Sequence, residues 1–217
     1  MKNKDFDIWM IRMKGDRKSE LYANYCAKSW TDAGFHVNFF DAITPEDLHD
    51  YEHIKFEEQI NEAEKGCFLS QWLLWEKCWK EDRPILVLEH DAYLENPEII
   101  SYNPHVDITY FGQHCMEACL YRPSFAEYIW KVVKENVNKG PFSMVEHFLG
   151  QGSRYSLLSR YGRPQLRYLG PEAPVKHVVI EELGSSIVHN SGNQTSDRIK
   201  TDQSDLFKVV KLTDVDV

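Results

Sequence analysis

Pro84-Ile85-Leu86-Val87-Leu88-Glu89-His90-Asp91-Ala92 is the stretch on which the fold of this chain turns. Its apolar run is comfortable only as a buried strand, and it stops at two carboxylates flanking a histidine. Residues i and i+2 of an extended chain point to the same side, so Glu89 and Asp91 are expected to converge on one cation while His90 faces the other way. In open α/β sheets ligands bind beyond the carboxyl ends of the strands, where this pair would lie. Oxygen donors suit a hard cation such as Mg²⁺ or Mn²⁺, which keeps positions open for water and substrate phosphates. The plainer reading, a strand leaving the core for a solvated loop, fits the motif alone equally well.

On the amino-terminal side, Asp7 to Met13 reads as a first strand, and Ser19 opens a helical pattern with Leu21, Tyr22, Tyr25, Cys26 and Trp30 on one side, closed by Gly34. Phe35 to Phe40 reads as a second strand, and Thr44-Pro45-Glu46-Asp47 after it combines an N-cap with a proline at the first helical position. Phe56 to Trp79 is the longest helical candidate, with a break expected near Gly66 and an apolar stripe carrying Phe68, Trp72, Trp75 and Trp79. Strand and helix therefore alternate up to the opening stretch, as in a parallel or mixed sheet. Beyond it, Val106 to Phe111 and Met116 to Tyr121 read as strands, and Ser124-x-x-Glu127 as the capping box of a further helix. Short helices are expected around Met144 to Leu149 and from Ser153 to Tyr161, and strands at Leu166 to Leu169 and Val178 to Val188. From Ser191 onward the chain is polar, anchored only by Leu206-Phe207 and Val209-Val210, and is expected to be a loosely held tail.

A length of 217 residues predicts one large domain. With 42% hydrophobic and 27% charged residues the composition is that of a soluble globular protein, enriched in aromatics by six Trp and eleven each of Tyr and Phe. The net charge of -9 opposes non-specific attraction to nucleic acid or anionic lipid. Five cysteines are an odd number without a framework-like spacing, and no secretory leader or membrane-spanning run is seen, so a cytoplasmic, reducing location is expected. Cys115-x-x-x-Cys119 with His105 and His114 nearby reads as buried cysteine rather than a zinc site, since no second spaced pair follows. The Trp72, Trp75, Trp79 stripe is expected in the core, leaving Tyr93, Tyr121 and Tyr155 as candidates for stacking on a ligand.

The words around the opening stretch carry a likeness. Glu64-Lys65-Gly66-Cys67-Phe68-Leu69-Ser70-Gln71-x-x-x-Trp75, followed by Pro84 to Leu94, resembles the glycosyltransferase family 25 pattern of a Gly-Cys-x-x-Ser-His helix, a Trp, and a strand ending Leu-Glu-Asp-Asp-Ala. Asp7 to Arg17 resembles the family's opening strand and Arg-bearing turn, and Phe40-Asp41-Ala42-Ile43 its second strand. Ala118-Cys119-Leu120-Tyr121 resembles the segment after the acidic motif, and Pro174-Val175-x-His177 with Ser185-Ser186-Ile187 the closing segment. The likeness covers most of residues 6 to 190.

What the resemblance implies is a single GT-A-like, Rossmann-type α/β domain over residues 1–190, with a mostly parallel mixed sheet flanked by helices and the tail over 191–217. The implied activity is inverting transfer of a sugar from a nucleotide-sugar, UDP-sugar first, to a hydroxyl acceptor, as in building lipopolysaccharide glycans or glycosylating collagen-like hydroxylysine. It also implies Mn²⁺ (or Mg²⁺), held by Asp91 with Glu89 and by a third ligand, His189, near the carboxyl end. Arg12, Arg17, Ser70, Gln71, Glu89 and His90 would line the nucleotide-sugar. Glu146, where the family tends to show Pro-Val-Asp, becomes the base or acceptor-binding residue, with His147 second. The acceptor is left open between a glycan, a protein hydroxyl and a modified base of phage DNA, the acidic balance weighing against DNA.

Three departures stand out. His90 replaces the family's second acidic residue and Gln71 its helix histidine, and Arg12 stands where the family usually has Asn. The first two motivate the alternative of a GT-A-like domain that binds nucleotide, sugar or a partner without turnover.

Overall fold

The computed structural model describes residues 4–112, 116–137, 141–142, 165–169, 172–180, 183–185 and 207–214. The first strand, β1 (Asp7–Arg12), buries Ile8 and Met10 on one face. It leads into α1 (Arg17–Asp32), where Asp16 rather than Ser19 is the N-cap, its carboxylate accepting from Ser19 N at 2.6 Å. Ser19 has a different task. Its hydroxyl accepts from Met13 N at 2.9 Å, pinning the loop at the carboxyl end of β1.

β2 (Val37–Asp41) pairs parallel with β1, and a 3₁₀ turn over Pro45–Tyr51 follows, boxed by Thr44 and Asp47. The long helix is α2 (Glu62–Lys80); it begins later than its apolar stripe suggests, because Asn61 and Glu64 form a reciprocal capping box. It also runs unbroken through Gly66. A Cβ at that position would stand 2.3 Å from Ile43 O, so the glycine serves close approach of helix and loop rather than a kink.

β3 (Ile85–Leu88) is the buried strand read from the sequence, with all four residues inside the core. It pairs parallel with β1 on the side opposite β2. β4 (Ala92–Leu94) turns away at once into a second sheet, and β5 (Ile108–Tyr110) and β6 (Ala118–Tyr121) return to the first. α3 (Pro123–Asn136) starts one position before the expected box, with Pro123 in its first turn. The Glu127 carboxylate is instead 2.6 Å from Lys131 Nζ, one turn on.

With β7 (Leu166–Tyr168) the main sheet has the order β2-β1-β3-β6-β5-β7: mixed, parallel at β2-β1-β3 and β5-β7, and antiparallel across β6. The second sheet is β10-β8-β4, built from β8 (Val175–Ile180) and β10 (Phe207–Val210), with the two-residue β9 (Gly184–Ser185) against β8. The strand expected over 178–188 is thus two strands, and Phe207 and Val209-Val210, anchors read in the polar tail, lie in β10. Val209-Val210 belongs to a strand that pairs parallel with β8, and Val210 is part of the core. The helices expected after Pro141 lie outside the described residues.

Two apolar layers result. α2 and α3 cover one face of the main sheet, where Trp75 is fully buried and Trp72 stacks on Trp130, as expected for that stripe. α1 and the second sheet cover the other face. α1 is tied to that sheet by Trp30 Nε1 donating to Ala92 O at 3.0 Å and by Ile180 N donating to the Tyr22 hydroxyl at 2.9 Å. These bonds place β4 and β8, and hence the residues at their ends.

Candidate metal centre

β1 has β2 on one side and β3 on the other, so the chain reverses its direction of build at β1, and a crevice is expected beyond the carboxyl ends of β1 and β3. The polar residues gather along that edge. Arg12 ends β1 opposite Asp41, which ends β2, and Glu89 follows β3 directly. Glu117 precedes β6, and its carbonyl accepts from Glu89 N at 2.9 Å, extending the β3–β6 ladder by one bond.

The acidic motif itself is not extended. Ala92 N donates to Glu89 O at 3.1 Å, closing a four-residue turn over Glu89-His90-Asp91-Ala92. A turn, rather than the alternation of an extended strand, therefore sets the relation of Glu89 to Asp91. Glu89, Asp91 and His177 each place one ligand atom within 4.8 Å of the others, with Asp91 and His177 buried and Glu89 half-buried.

His177 enters from β8, where it stands opposite Ala92. Its Nδ1 is 3.0 Å from Asp91 Oδ2 and its Nε2 is 2.8 Å from Glu117 Oε1. Burial by itself would lower the imidazole, but the Asp91 and Glu117 carboxylates outweigh it and hold His177 well above its ordinary value. The ring thus lies between two buried carboxylates, whose charge a divalent cation would also offset. Two carboxylates and an imidazole are a donor set that fits such an ion.

His90 is turned elsewhere. Its ring meets Tyr22 edge-on at 6.0 Å between centroids, and burial holds its imidazole below the ordinary value, hence neutral near pH 7. Arg12 lies with its guanidinium 4.4 Å from the Phe39 ring and 3.4 Å from Asp41 Oδ1, at the rim of the crevice, and Arg17 is exposed at the start of α1. Ser70 and Gln71 are fully buried. Ser70 Oγ accepts from Ile43 N at 2.9 Å and donates to Gly66 O at 2.7 Å, so it holds the loop after β2 from behind. Tyr121 is likewise buried and cannot stack on a ligand, whereas Tyr93 stacks on Tyr25. Glu146, His147, Tyr155 and His189 lie outside the described residues.

Sequence reasoning missed Glu117 altogether, and quoted His177 only as part of a likeness. The signal for each was local: a charged or polar residue set against an otherwise buried strand, Val175-Lys176-His177-Val178-Val179-Ile180 in one case and Glu117-Ala118-Cys119-Leu120-Tyr121 in the other. A surface depression of about 670 Å³ lies at the other end of the sheet, beside Arg83 and Pro84 where β3 begins, remote from this cluster.

Residues 7–139 match the model of glycosyltransferase family 25 (LPS biosynthesis protein). The chain belongs to glycosyltransferase family 25. A curated relative, the lipooligosaccharide biosynthesis protein lic2B of Haemophilus influenzae, is 32% identical over 73 residues, 31% of this family 25 chain and 27% of the relative. The match therefore spans only about a quarter of that protein's length. Among solved structures, a glycosyltransferase involved in glycosylation of the major capsid of PBCV-1 is 11% identical with a TM-score of 0.44, covering 82% of this chain and 87% of that one. The CTP:phosphocholine cytidylyltransferase LicC of Streptococcus pneumoniae is 11% identical with a TM-score of 0.46, covering 80% and 93%. No helix among the described residues of the family 25 chain is long and apolar enough to cross a membrane.

Proposed function

We propose that this family 25 chain transfers a sugar from a nucleotide-sugar, UDP-sugar first, to a hydroxyl of a glycan, with inversion at the anomeric carbon. Glu89, Asp91 and His177 would hold Mn²⁺ or Mg²⁺. The observation that carries the reading is the convergence of these three side chains at the edge where β1 and β3 end. A cation held there neutralises the charge that develops on the departing diphosphate.

The chain's own residues do the rest. Arg12, at the end of β1, offers a planar guanidinium to the donor phosphates, and the Asp41 beside it keeps it at the rim. His177 is held by the β4–β8 pairing and Asp91 by Val178 N donating to its carbonyl at 3.0 Å, so both are in place before the donor arrives. The acceptor oxygen bonds to the anomeric carbon as the bond to the diphosphate oxygen breaks. Its proton passes to a base, for which Glu146 is assigned from the sequence, with His147 second. The same reading places the chain in the cytoplasm, where the free thiols of Cys26, Cys67, Cys78 and Cys119 suit a reducing medium.

The test is a thermal-shift screen of nucleotide sugars with and without Mn²⁺, since a ligand that binds only the native state raises its melting temperature with occupancy. A shift for one donor that needs the cation supports the reading, and none for any donor counts against it. Glu146→Gln is expected to lose turnover while keeping that shift.

A further inference from the structure

One buried carboxylate of the cluster is not used by this reading. Glu117 is 2% exposed, and its Oε1 lies 2.8 Å from His177 Nε2. The opposite ring nitrogen, Nδ1, faces Asp91 Oδ2 at 3.0 Å. Glu117 also fixes the chain beside Glu89 through its own carbonyl.

Room for the carboxylate is made by Gly112, two residues beyond β5, where a Cβ would stand 2.1 Å from Glu117 Oε2 and 2.8 Å from its Cδ. Gly112 is in turn bridged to Val175, two residues before His177. Backbone, glycine and carboxylate therefore form one support around the imidazole. A neutral imidazole has one N–H and one lone pair, and whichever nitrogen donates leaves the other free to ligate.

We propose that Glu117 is the positioning residue of this centre: it accepts the Nε2–H of His177 and so presents Nδ1 to the cation shared with Glu89 and Asp91. The proposal rests on the metal reading above. Removing an outer partner of a metal-bound histidine typically costs about 10- to 100-fold in metal affinity, and that loss is expected here.

Mn²⁺ alone is titrated calorimetrically into the full chain and its Glu117→Gln, Glu117→Ala and Asp91→Asn variants, with circular dichroism as the check on folding. Glutamine keeps an acceptor for Nε2–H and is expected to lose less than about tenfold, alanine about 10- to 100-fold. In parallel, nitrogen-15 NMR of the Mg²⁺-loaded wild type is expected to show the His177 proton on Nε2. A merely structural role for Glu117 does not dictate that tautomer. Alanine affinity within twofold of wild type, or a proton on Nδ1 in the loaded chain, overturns the proposal. If the alanine variant does not fold, the wild-type tautomer decides alone. Unchanged Mn²⁺ binding in Asp91→Asn would instead show that the metal reading itself has failed.

Discussion

Ile43 O occupies the place that a side chain at Gly66 would need, 2.3 Å from the ideal Cβ position. α2 and the loop after β2 therefore touch backbone to backbone, and Ser70, one turn further along α2, accepts the amide of Ile43. The Gly-x-x-x-Ser spacing holds the wall of the crevice from behind, next to the strand end that carries Asp41.

Gly66→Ala forces that wall outward. Overpacking of this kind costs about 1–3 kcal/mol, and the loss is expected in urea denaturation. Ser70→Ala leaves the Ile43 amide without its acceptor and is expected to cost about 1 kcal/mol. Stability unaltered in both variants would remove the clamp from the account.

His90 is the chain's departure from the family motif, and its ring lies on Tyr22 rather than among Glu89, Asp91 and His177. His90→Ala is therefore expected to keep Mn²⁺ affinity within about twofold while losing an edge-to-face contact of about 0.5–1.5 kcal/mol. A tenfold loss of affinity would make His90 a ligand.

Two histidines compete for the third ligand position, His189 from the sequence and His177 from the structure. His177→Ala is expected to weaken Mn²⁺ binding by at least about tenfold, as loss of even an outer-shell partner does. His189→Ala is expected to cost less, and calorimetry on the two variants ranks them.

Much of the fold was legible because its signals are local. The Ile85 to Leu88 run, the Thr44–Asp47 box and the α1 stripe each state their structure within a few residues. The late start of α2 was legible too, in Asn61-x-x-Glu64, but the longer apolar stripe masked it. What could not be read were partnerships between distant segments: β10 beside β8, and above all His177 meeting Asp91, 86 residues away in sequence. Glu89 and Asp91 were therefore visible from sequence as neighbours, and their meeting with His177, and its with Glu117, was not.

Alkaline pH provides a test of the core. Burial pushes the Cys78 thiol up to about 12, and likewise raises Cys26 and Tyr121 well above their ordinary values. Between the unfolded thiol value of about 8.5 and the folded value, the unfolded chain has lost protons that the folded chain keeps. For Cys78, stability is therefore full below about pH 8.5 and falls by about 1.4 kcal/mol per pH unit as pH rises toward 12; Cys26 adds to the fall above about pH 8.5, and Tyr121 only above the ordinary tyrosine value of about 10. Denaturation midpoints at pH 8 and pH 10.5 check the fall. A thiol reagent at pH 8 is expected to label exposed Cys67 and to spare Cys26, Cys78 and Cys119 until the chain unfolds.

The central claim is that Asp91 holds a cation that in turn binds a nucleotide diphosphate. Calorimetric titration of UDP into the wild type and Asp91→Asn, each with and without Mn²⁺, tests it most directly. The account predicts UDP binding that requires Mn²⁺ in the wild type and disappears in the variant while its circular dichroism spectrum is unchanged. UDP binding that is indifferent to Mn²⁺, or retained at full strength in Asp91→Asn, would contradict it.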